Sequence, residues 1–116
     1  MSRVTLYHNP RCSKSRAALA LLTERGVDVQ IVKYLETPPD EATLAALMDR
    51  LGDDAADIIR TGEAEFRELG LRAGNLSSAD TAGLLAEHPR LLQRPIAVHG
   101  DRAVIGRPPE RVLEIL

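Results

Sequence analysis

Apolar and polar positions alternate with two different periods along the chain, and the first third shows both. Residues 4–7, VTLY, form a short apolar run of β-forming side chains, which predicts a buried strand. From Ser13, apolar residues recur at helical spacing up to a candidate cap at Gly26, and residues 27–32, VDVQIV, then alternate like a half-buried strand. Residues 1–33 therefore predict a βαβ unit with a parallel strand pair and a right-handed crossover.

The rest of the chain has a helical middle and a β-rich end. Beyond the stop at Thr37-Pro38-Pro39, residues 40–90 carry apolar residues at helical spacing, and two strands joined by a turn follow. The predicted pieces are helices at 40–50, 55–59, 63–69 and from a cap at Ser77 or Ser78 to Leu85, strands at 95–99 and 103–106 around Gly100-Asp101, and a terminal helix at 109–116.

This order of elements, βαβ followed by helices and then ββα, is the plan of a thioredoxin-like α/β fold. It implies a mixed four-stranded sheet with flanking helices. Because the chain has 116 residues and shows no repeat or linker, we predict a single domain over 1–116, with a helical insertion at about 40–90. Pro95 precedes the third predicted strand, where thioredoxin-like domains commonly carry a cis proline that faces the active cysteine.

Composition narrows the classes of partner. Only three residues are aromatic, so the core is expected to be aliphatic, and the net charge of −2 gives no basic surface for nucleic acid. No apolar run approaches the roughly 20 residues that span a bilayer. The single cysteine rules out an internal disulfide, which agrees with a reducing compartment. We therefore expect a cytoplasmic monomer without a nucleic-acid or membrane partner and without a bound cofactor.

The single cysteine, Cys12, follows the first predicted strand and stands where the first predicted helix begins. A helix N-terminus presents unpaired N–H groups and a partial positive charge, which stabilise a thiolate and lower the pKa of the thiol. Arg11, Lys14 and Arg16 add positive charge nearby, and His8 at the strand end could face the thiol. Cys12 is therefore predicted to be a nucleophile, against the alternative of a buried, unreactive thiol.

Two more specific cysteine motifs are absent. Cys12 is followed by Ser13-Lys14-Ser15, so no C-x-x-C pair can carry dithiol chemistry, and Ala18 stands where a C-x5-R phosphate loop needs arginine. A phosphatase-like loop is thereby disfavoured. His88 and His99 have no metal-ligand partner at useful spacing, so we interpret both as structural and expect no metal site.

Three arginines stand at the ends of predicted elements: Arg60 after a helical piece, Arg94 before the third strand and Arg107 after the last strand. Arginine offers planar, bidentate donors to oxyanions. Taken singly, each is better interpreted as a solvated surface charge, with Arg94 and Arg107 the stronger candidates for binding. Sequence spacing leaves open whether the three converge.

Longer motifs run along the whole chain. Residues 8–16, HNPRCSKSR, resemble the His-Asn-Pro-x-Cys-x-x-Ser-Arg signature of the ArsC-like, glutaredoxin-coupled arsenate reductases, and residues 34–39, YLETPP, resemble that family's Tyr-Leu-x-x-Pro-Pro segment. Further matches follow in the same order at Glu68-Leu69-Gly70-Leu71, His88-Pro89, Arg94-Pro95-Ile96 and Arg107-Pro108.

The resemblance implies an arsenate reductase whose nucleophile attacks arsenate and forms a covalent arsenic adduct. The implied roles are nucleophile for Cys12, oxyanion binding for Arg60, Arg94 and Arg107, lowering of the thiol pKa for His8, and stabilisation of the thiolate for Ser15 and Arg16. The substrate would be arsenate or a similar oxyanion.

The reduction of arsenate to arsenite takes two electrons, so two thiols are needed, and this chain supplies one. Glutathione is therefore expected as co-substrate, and glutaredoxin as the partner that releases the mixed disulfide from Cys12. Two alternatives stay open. One is a Spx-like redox or transcription-partner protein, although the second cysteine usual in that switch is missing. The other is a glutathione-dependent thiol oxidoreductase that acts on a different substrate.

Overall fold

The computed structural model describes residues 3–72 and 76–116, so residues 73–75 of the predicted insertion lie outside the described residues. The strands are β1 Arg3–Tyr7, β2 Asp28–Val32, β3 Ile96–His99 and β4 Arg102–Ile105. The helices are α1 Ser13–Glu24, α2 Glu41–Leu51, α3 Ala64–Glu68 and α4 Ser78–Glu87, with 3-10 segments at Gly52–Asp57, Pro89–Leu91 and Pro109–Ile115. None of the described helices has the length and apolar character needed to cross a membrane.

The four strands form one mixed sheet in the order β2-β1-β3-β4. β1 pairs in parallel with β2, as the predicted βαβ unit requires, and β3 runs antiparallel to both β1 and β4. The helices α2, α3 and α4 lie between β2 and β3 in the chain. The thioredoxin-like α/β architecture predicted from the sequence is confirmed.

Two pieces predicted as helices are 3-10 segments. The expected piece at 55–59 is replaced by Gly52–Asp57, and the terminal helix expected at 109–116 also has 3-10 geometry. In that last segment Val112 and Ile115 are the buried residues, three positions apart. A 3-10 helix repeats every three residues, so this spacing places both side chains on one line against the sheet.

Strand β2 is less buried than its alternating pattern predicts. Period two puts Val29 and Ile31 on the same face, yet Val29 is partly buried against the core while Ile31 is 44% exposed. β2 lies at the edge of the sheet, so neighbouring elements cover only part of its length.

Side chains alternate between the two faces of the sheet and form two separate clusters. The cluster on the side of α1 and the terminal 3-10 segment is entirely aliphatic: Val4, Leu6, Ala18, Leu22, Ala97, Val104, Val112 and Ile115. The cluster on the side of α2 and α4 contains all three aromatic residues, Tyr7, Tyr34 and Phe66. The expectation of an aliphatic core is therefore confirmed on one face only.

Candidate active site around Cys12

One row of paired residues across the sheet brings the predicted site residues together. The row consists of Val32, Tyr7, Ile96 and Ile105, one from each strand. The segments that adjoin it at the same end of the sheet carry Lys33, Tyr34, His8, Arg94, Pro95 and Arg107. Strand register therefore gathers residues that lie far apart in the sequence. The Arg94-Pro95 peptide bond is cis, as expected for a proline at this position.

Cys12 is the N-cap residue of α1 and is partly buried. Burial raises the pKa of its thiol, but the Ser15 N–H, the Arg94 side chain and the Lys14 N–H favour the thiolate and outweigh that effect, so the pKa is lowered overall. The predicted thiolate-stabilising environment at the helix N-terminus is thus present, and Arg94 supplies the nearby charge.

Arg94 is available to an anion. Its side chain lies close enough to the Cys12 sulphur to lower the pKa of the thiol, and it forms no ion pair with a carboxylate of residues 3–72 and 76–116. Arg107 contacts the backbone of Arg94, because its Nε donates a 2.9 Å hydrogen bond to the Arg94 carbonyl oxygen. Arg94 therefore lies at the sulphur, and Arg107 fixes the backbone that presents it.

Arg60 is held differently. Its Nη1 forms a 2.7 Å ion pair with Glu63, and its backbone N–H donates to the Leu91 carbonyl oxygen at 2.7 Å. Arg60 lines two adjoining clefts, one of about 560 Å³ shared with Arg94 and one of about 710 Å³ shared with Arg107. The three arginines predicted from the sequence thus occupy one region, but Glu63 already engages the charge of Arg60.

The 560 Å³ cleft is rich in positive charge. It is lined by His8, Asn9, Pro10, Arg11, Lys33, Leu35, Glu36, Arg60, Glu63, Arg90 and Arg94. Cys12 is absent from this lining, but Arg94, which lines the cleft, also lies beside the Cys12 sulphur. A ligand bound in the cleft would therefore meet arginine and lysine side chains before the sulphur.

His8 is buried and contacts Ser15, whereas the sequence suggested that it could face the thiol. Its Nδ1 lies 2.7 Å from Ser15 Oγ, and that hydroxyl oxygen also accepts the Asn9 N–H at 3.0 Å. Burial lowers the pKa of His8, and the charges of Lys33 and Arg16 lower it further. A neutral ring fixed by Ser15 braces the loop before Cys12 and is not a cation beside the sulphur.

The two residues predicted to stabilise the thiolate, Ser15 and Arg16, are placed differently. The Ser15 backbone N–H favours the thiolate of Cys12, while the fully buried Ser15 hydroxyl accepts the Asn9 N–H and so holds the loop. Arg16 is exposed, and its Nη1 donates to the Pro10 carbonyl oxygen at 2.9 Å. Arg16 thus secures the loop that leads to Cys12 without touching the sulphur.

Sequence reasoning missed Tyr34 and Asn9 as site residues. Tyr34 lies two residues beyond β2, is fully buried, and has its hydroxyl beside Arg94 and Asn9. Burial raises the pKa of Tyr34, in part offset by these two neighbours. Both residues belong to the motifs that carried the family resemblance, so the signal was present. Their buried position becomes visible only with the strand register.

Comparison with known proteins gives consistent matches over almost the full length. Residues 7–115 match the sequence profile of the ArsC family. A Neisseria meningitidis serogroup A protein named arsenate reductase is 44% identical over 117 residues, with 100% of each chain covered. The Escherichia coli K12 protein YfgD, described as uncharacterized, is 48% identical over 115 residues, with 98% of this chain and 97% of that protein covered.

Solved structures agree with these matches. The structure of an arsenate reductase from Vibrio cholerae superposes with a TM-score of 0.92 at 45% identity, covering 99% of this chain and 98% of that one. A structure described as a putative arsenate reductase from Yersinia pestis superposes with a TM-score of 0.87 at 48% identity, covering 97% and 99%.

Proposed function

Because the chain belongs to the ArsC family, we propose that it is an arsenate reductase in which Cys12 is the nucleophile and glutathione supplies the second thiol. The observation that carries the proposal is the setting of Cys12. Its sulphur faces two backbone N–H groups at the start of α1 and the Arg94 side chain, which forms no ion pair with a carboxylate in the described part of the chain. A thiolate and a free guanidinium side by side suit attack on a tetrahedral oxyanion.

In the first step the Cys12 thiolate bonds to arsenic and displaces one arsenate oxygen, which leaves as water after taking up protons. Arg94 offsets the negative charge of the oxyanion during this step, and Arg107 keeps Arg94 in place through its 2.9 Å hydrogen bond to the carbonyl oxygen. The lowered pKa of Cys12 means that the thiolate is formed at lower pH than in an ordinary cysteine.

In the second step glutathione sulphur attacks the Cys12 sulphur. The sulphur–arsenic bond breaks, its electron pair passes to arsenic, and arsenite leaves together with the proton from the glutathione thiol. The mixed disulfide on Cys12 is then resolved by glutaredoxin through thiol–disulfide exchange. The lone cysteine of the chain supports this dependence on external thiols.

The charge of the 560 Å³ cleft supports an anionic thiol as co-substrate. Arg11, Lys33 and Arg90 line it in addition to Arg94. Glutathione carries two carboxylates, which these side chains can pair with. We place the protein in the cytoplasm, where glutathione and glutaredoxin are found, and expect it to act as a monomer.

The test is arsenate-dependent NADPH oxidation coupled through glutathione reductase, with glutathione and glutaredoxin present. Wild type should turn over arsenate, Cys12→Ser should have no activity above background, and Ser13→Ala, which alters an exposed neighbour, should remain active. Omission of glutaredoxin should stop multiple turnover. Wild-type activity no greater than that of Cys12→Ser would rule out the proposed reductase activity.

One observation favours a second candidate, a glutathione-dependent thiol oxidoreductase with a different substrate. Glu63 neutralises Arg60 at 2.7 Å, which lowers the positive charge that an arsenate dianion would meet. The binding of a substrate with less negative charge would be weakened less by the Arg60–Glu63 ion pair. Thiol-disulfide exchange between glutathione and a small mixed disulfide, measured alongside arsenate turnover on the same preparation, separates the two candidates.

A further inference from the structure

Tyr34 carries a buried polar group whose role the proposed chemistry does not yet use. Its side chain is 0% exposed, and within residues 3–72 and 76–116 its hydroxyl has no hydrogen-bond partner. In the same residues the only other buried side-chain nitrogen or oxygen without a partner is Arg94 Nε. Buried polar groups in proteins are nearly always paired, so two unpaired atoms on neighbouring residues call for a reason.

The two atoms belong to one neighbourhood. Arg94 and Asn9 lie close enough to the Tyr34 hydroxyl to lower its pKa, against the larger effect of burial, which raises it. Asn9 Oδ1 accepts the Arg11 N–H at 3.0 Å, and the amide NH₂ of Asn9 stays available as a donor to Tyr34. The Tyr34 oxygen is therefore a buried acceptor with donors of both residues close to it.

We propose that Tyr34 is a positioning residue for Arg94, and that its hydroxyl oxygen accepts the Arg94 Nε–H when the guanidinium settles against an anion at Cys12. That anion is the thiolate in the free protein and the oxyanion during turnover. Without the oxygen, the Nε–H would face an aromatic ring inside an apolar cluster, which disfavours a charged group. The guanidinium would then move towards the solvent-filled cleft and away from the sulphur. This inference rests on the roles given above to Arg94 and Cys12.

Tyr34→Phe removes the hydroxyl and keeps the ring. We expect the pH midpoint of Cys12 alkylation by iodoacetamide to rise by about one unit, because the displaced guanidinium of Arg94 no longer stabilises the thiolate. The KM for arsenate should rise about tenfold, with a smaller change in kcat. Tyr7→Phe is the matched control, since Tyr7 belongs to the same cluster but has Arg50 as its charged neighbour. That variant should keep both wild-type values.

Arg94→Met distinguishes action through Arg94 from a general effect on the fold. Arg94→Met alone should raise the alkylation midpoint, and the addition of Tyr34→Phe to it should cause no further shift. A wild-type midpoint in Tyr34→Phe, or equal shifts in both backgrounds, would overturn the proposal. A melting temperature of Tyr34→Phe lowered by more than about 5 °C would also overturn it, because the hydroxyl would then support the fold as a whole and not act through Arg94.

The alkylation experiment needs no arsenate. If wild type fails to reduce arsenate, the proposed function falls, while the midpoints of wild type, Tyr34→Phe and the double variant still decide the role of Tyr34. If wild type reduces arsenate and the Tyr34→Phe midpoint is unchanged, the proposed function stands and the role of Tyr34 falls.

Discussion

Glu63→Gln should strengthen the binding of anionic substrates. Glu63 forms a 2.7 Å ion pair with Arg60, and both side chains are partly solvent-accessible, at 31% and 24%. The substitution keeps the size of the side chain and removes its charge. It therefore frees the Arg60 guanidinium for an oxyanion and removes a negative charge from the lining of both clefts.

The magnitude follows from the exposure of the pair. Two unit charges about 4 Å apart attract by about 1 kcal/mol in water and about 4 kcal/mol at an effective dielectric of about 20. Pairs as accessible as this one contribute about 0.5–1 kcal/mol after solvent screening. At about 1.4 kcal/mol per tenfold change, the KM for arsenate should fall about twofold to fivefold, with kcat nearly unchanged.

Two assays separate the effect of charge from other effects. The first is the KM for arsenate in the coupled assay at low and at high salt, where the gain should shrink as ions screen the site. The second is the ratio of Cys12 alkylation rates with iodoacetate, an anion, and with iodoacetamide, which is neutral. The ratio should rise in Glu63→Gln because only the anion benefits from the added positive potential.

Glu65→Gln is the control. The Glu65 side chain has the same exposed fraction as Glu63, 31%, and the substitution removes the same charge. Glu65, however, contacts His88 at 2.7 Å and lines neither cleft. It should leave the KM and the alkylation ratio near wild type. An unchanged or higher KM in Glu63→Gln, or an equal gain in Glu65→Gln, would refute the view that Glu63 limits the anion site.

Three further outcomes are expected. Ser15→Ala should lower the free energy of unfolding, measured in urea, by about 1–3 kcal/mol, because it leaves the buried His8 Nδ1 and Asn9 N–H without their partner. A decrease below about 0.5 kcal/mol would contradict this. Gly106→Ala should lower the melting temperature, since its Cβ would lie 2.8 Å from Pro95 Cγ, whereas Gly62→Ala, with nothing within 4 Å, should not; equal melting temperatures would contradict the predicted clash. Cys12 should alkylate with a midpoint below the ordinary value of 9.0. Because the folded pKa is the lower one, the stability that the thiolate adds is full above the unfolded pKa and is lost as pH falls through the folded pKa. Urea unfolding of wild type and Cys12→Ser at about pH 6 and about pH 9.5 measures this, and a difference that does not grow with pH would contradict it.

The nucleophile could be predicted from the sequence because its setting is local. A strand, a proline and a helix start fix where Cys12 lies, and helix geometry alone places the N–H groups of Lys14 and Ser15 at its sulphur. The same local logic located all four strands. It did not separate α-helical from 3-10 geometry near the C-terminus, because the apolar residues of that segment fit both repeats over such a short span.

The connections between site residues could not be predicted, because they depend on contacts between distant segments. The sequence placed Arg60, Arg94 and Arg107 at element ends. It gave no sign that Glu63 forms an ion pair with Arg60. It also gave no sign that Arg107 donates a hydrogen bond to the carbonyl oxygen of Arg94. The contact of His8 with Ser15 was missed for a related reason. The buried face of α1 includes a serine, and an apolar pattern does not reveal a buried polar residue.

The row of paired residues across the sheet links the site to the order of folding. Cys12 and Arg94 meet only when β1, near one end of the chain, has paired with β3, near the other. Pairings over such long sequence separations close late, because the loop between them must first be ordered. The Arg94 part of the thiolate's setting therefore depends on the sheet, whereas the N–H groups of Lys14 and Ser15 need only the start of α1. A chain in which α1 has formed but β1 and β3 have not paired would carry this cysteine without its arginine, so the full reactivity of Cys12 reports that the two strands have joined.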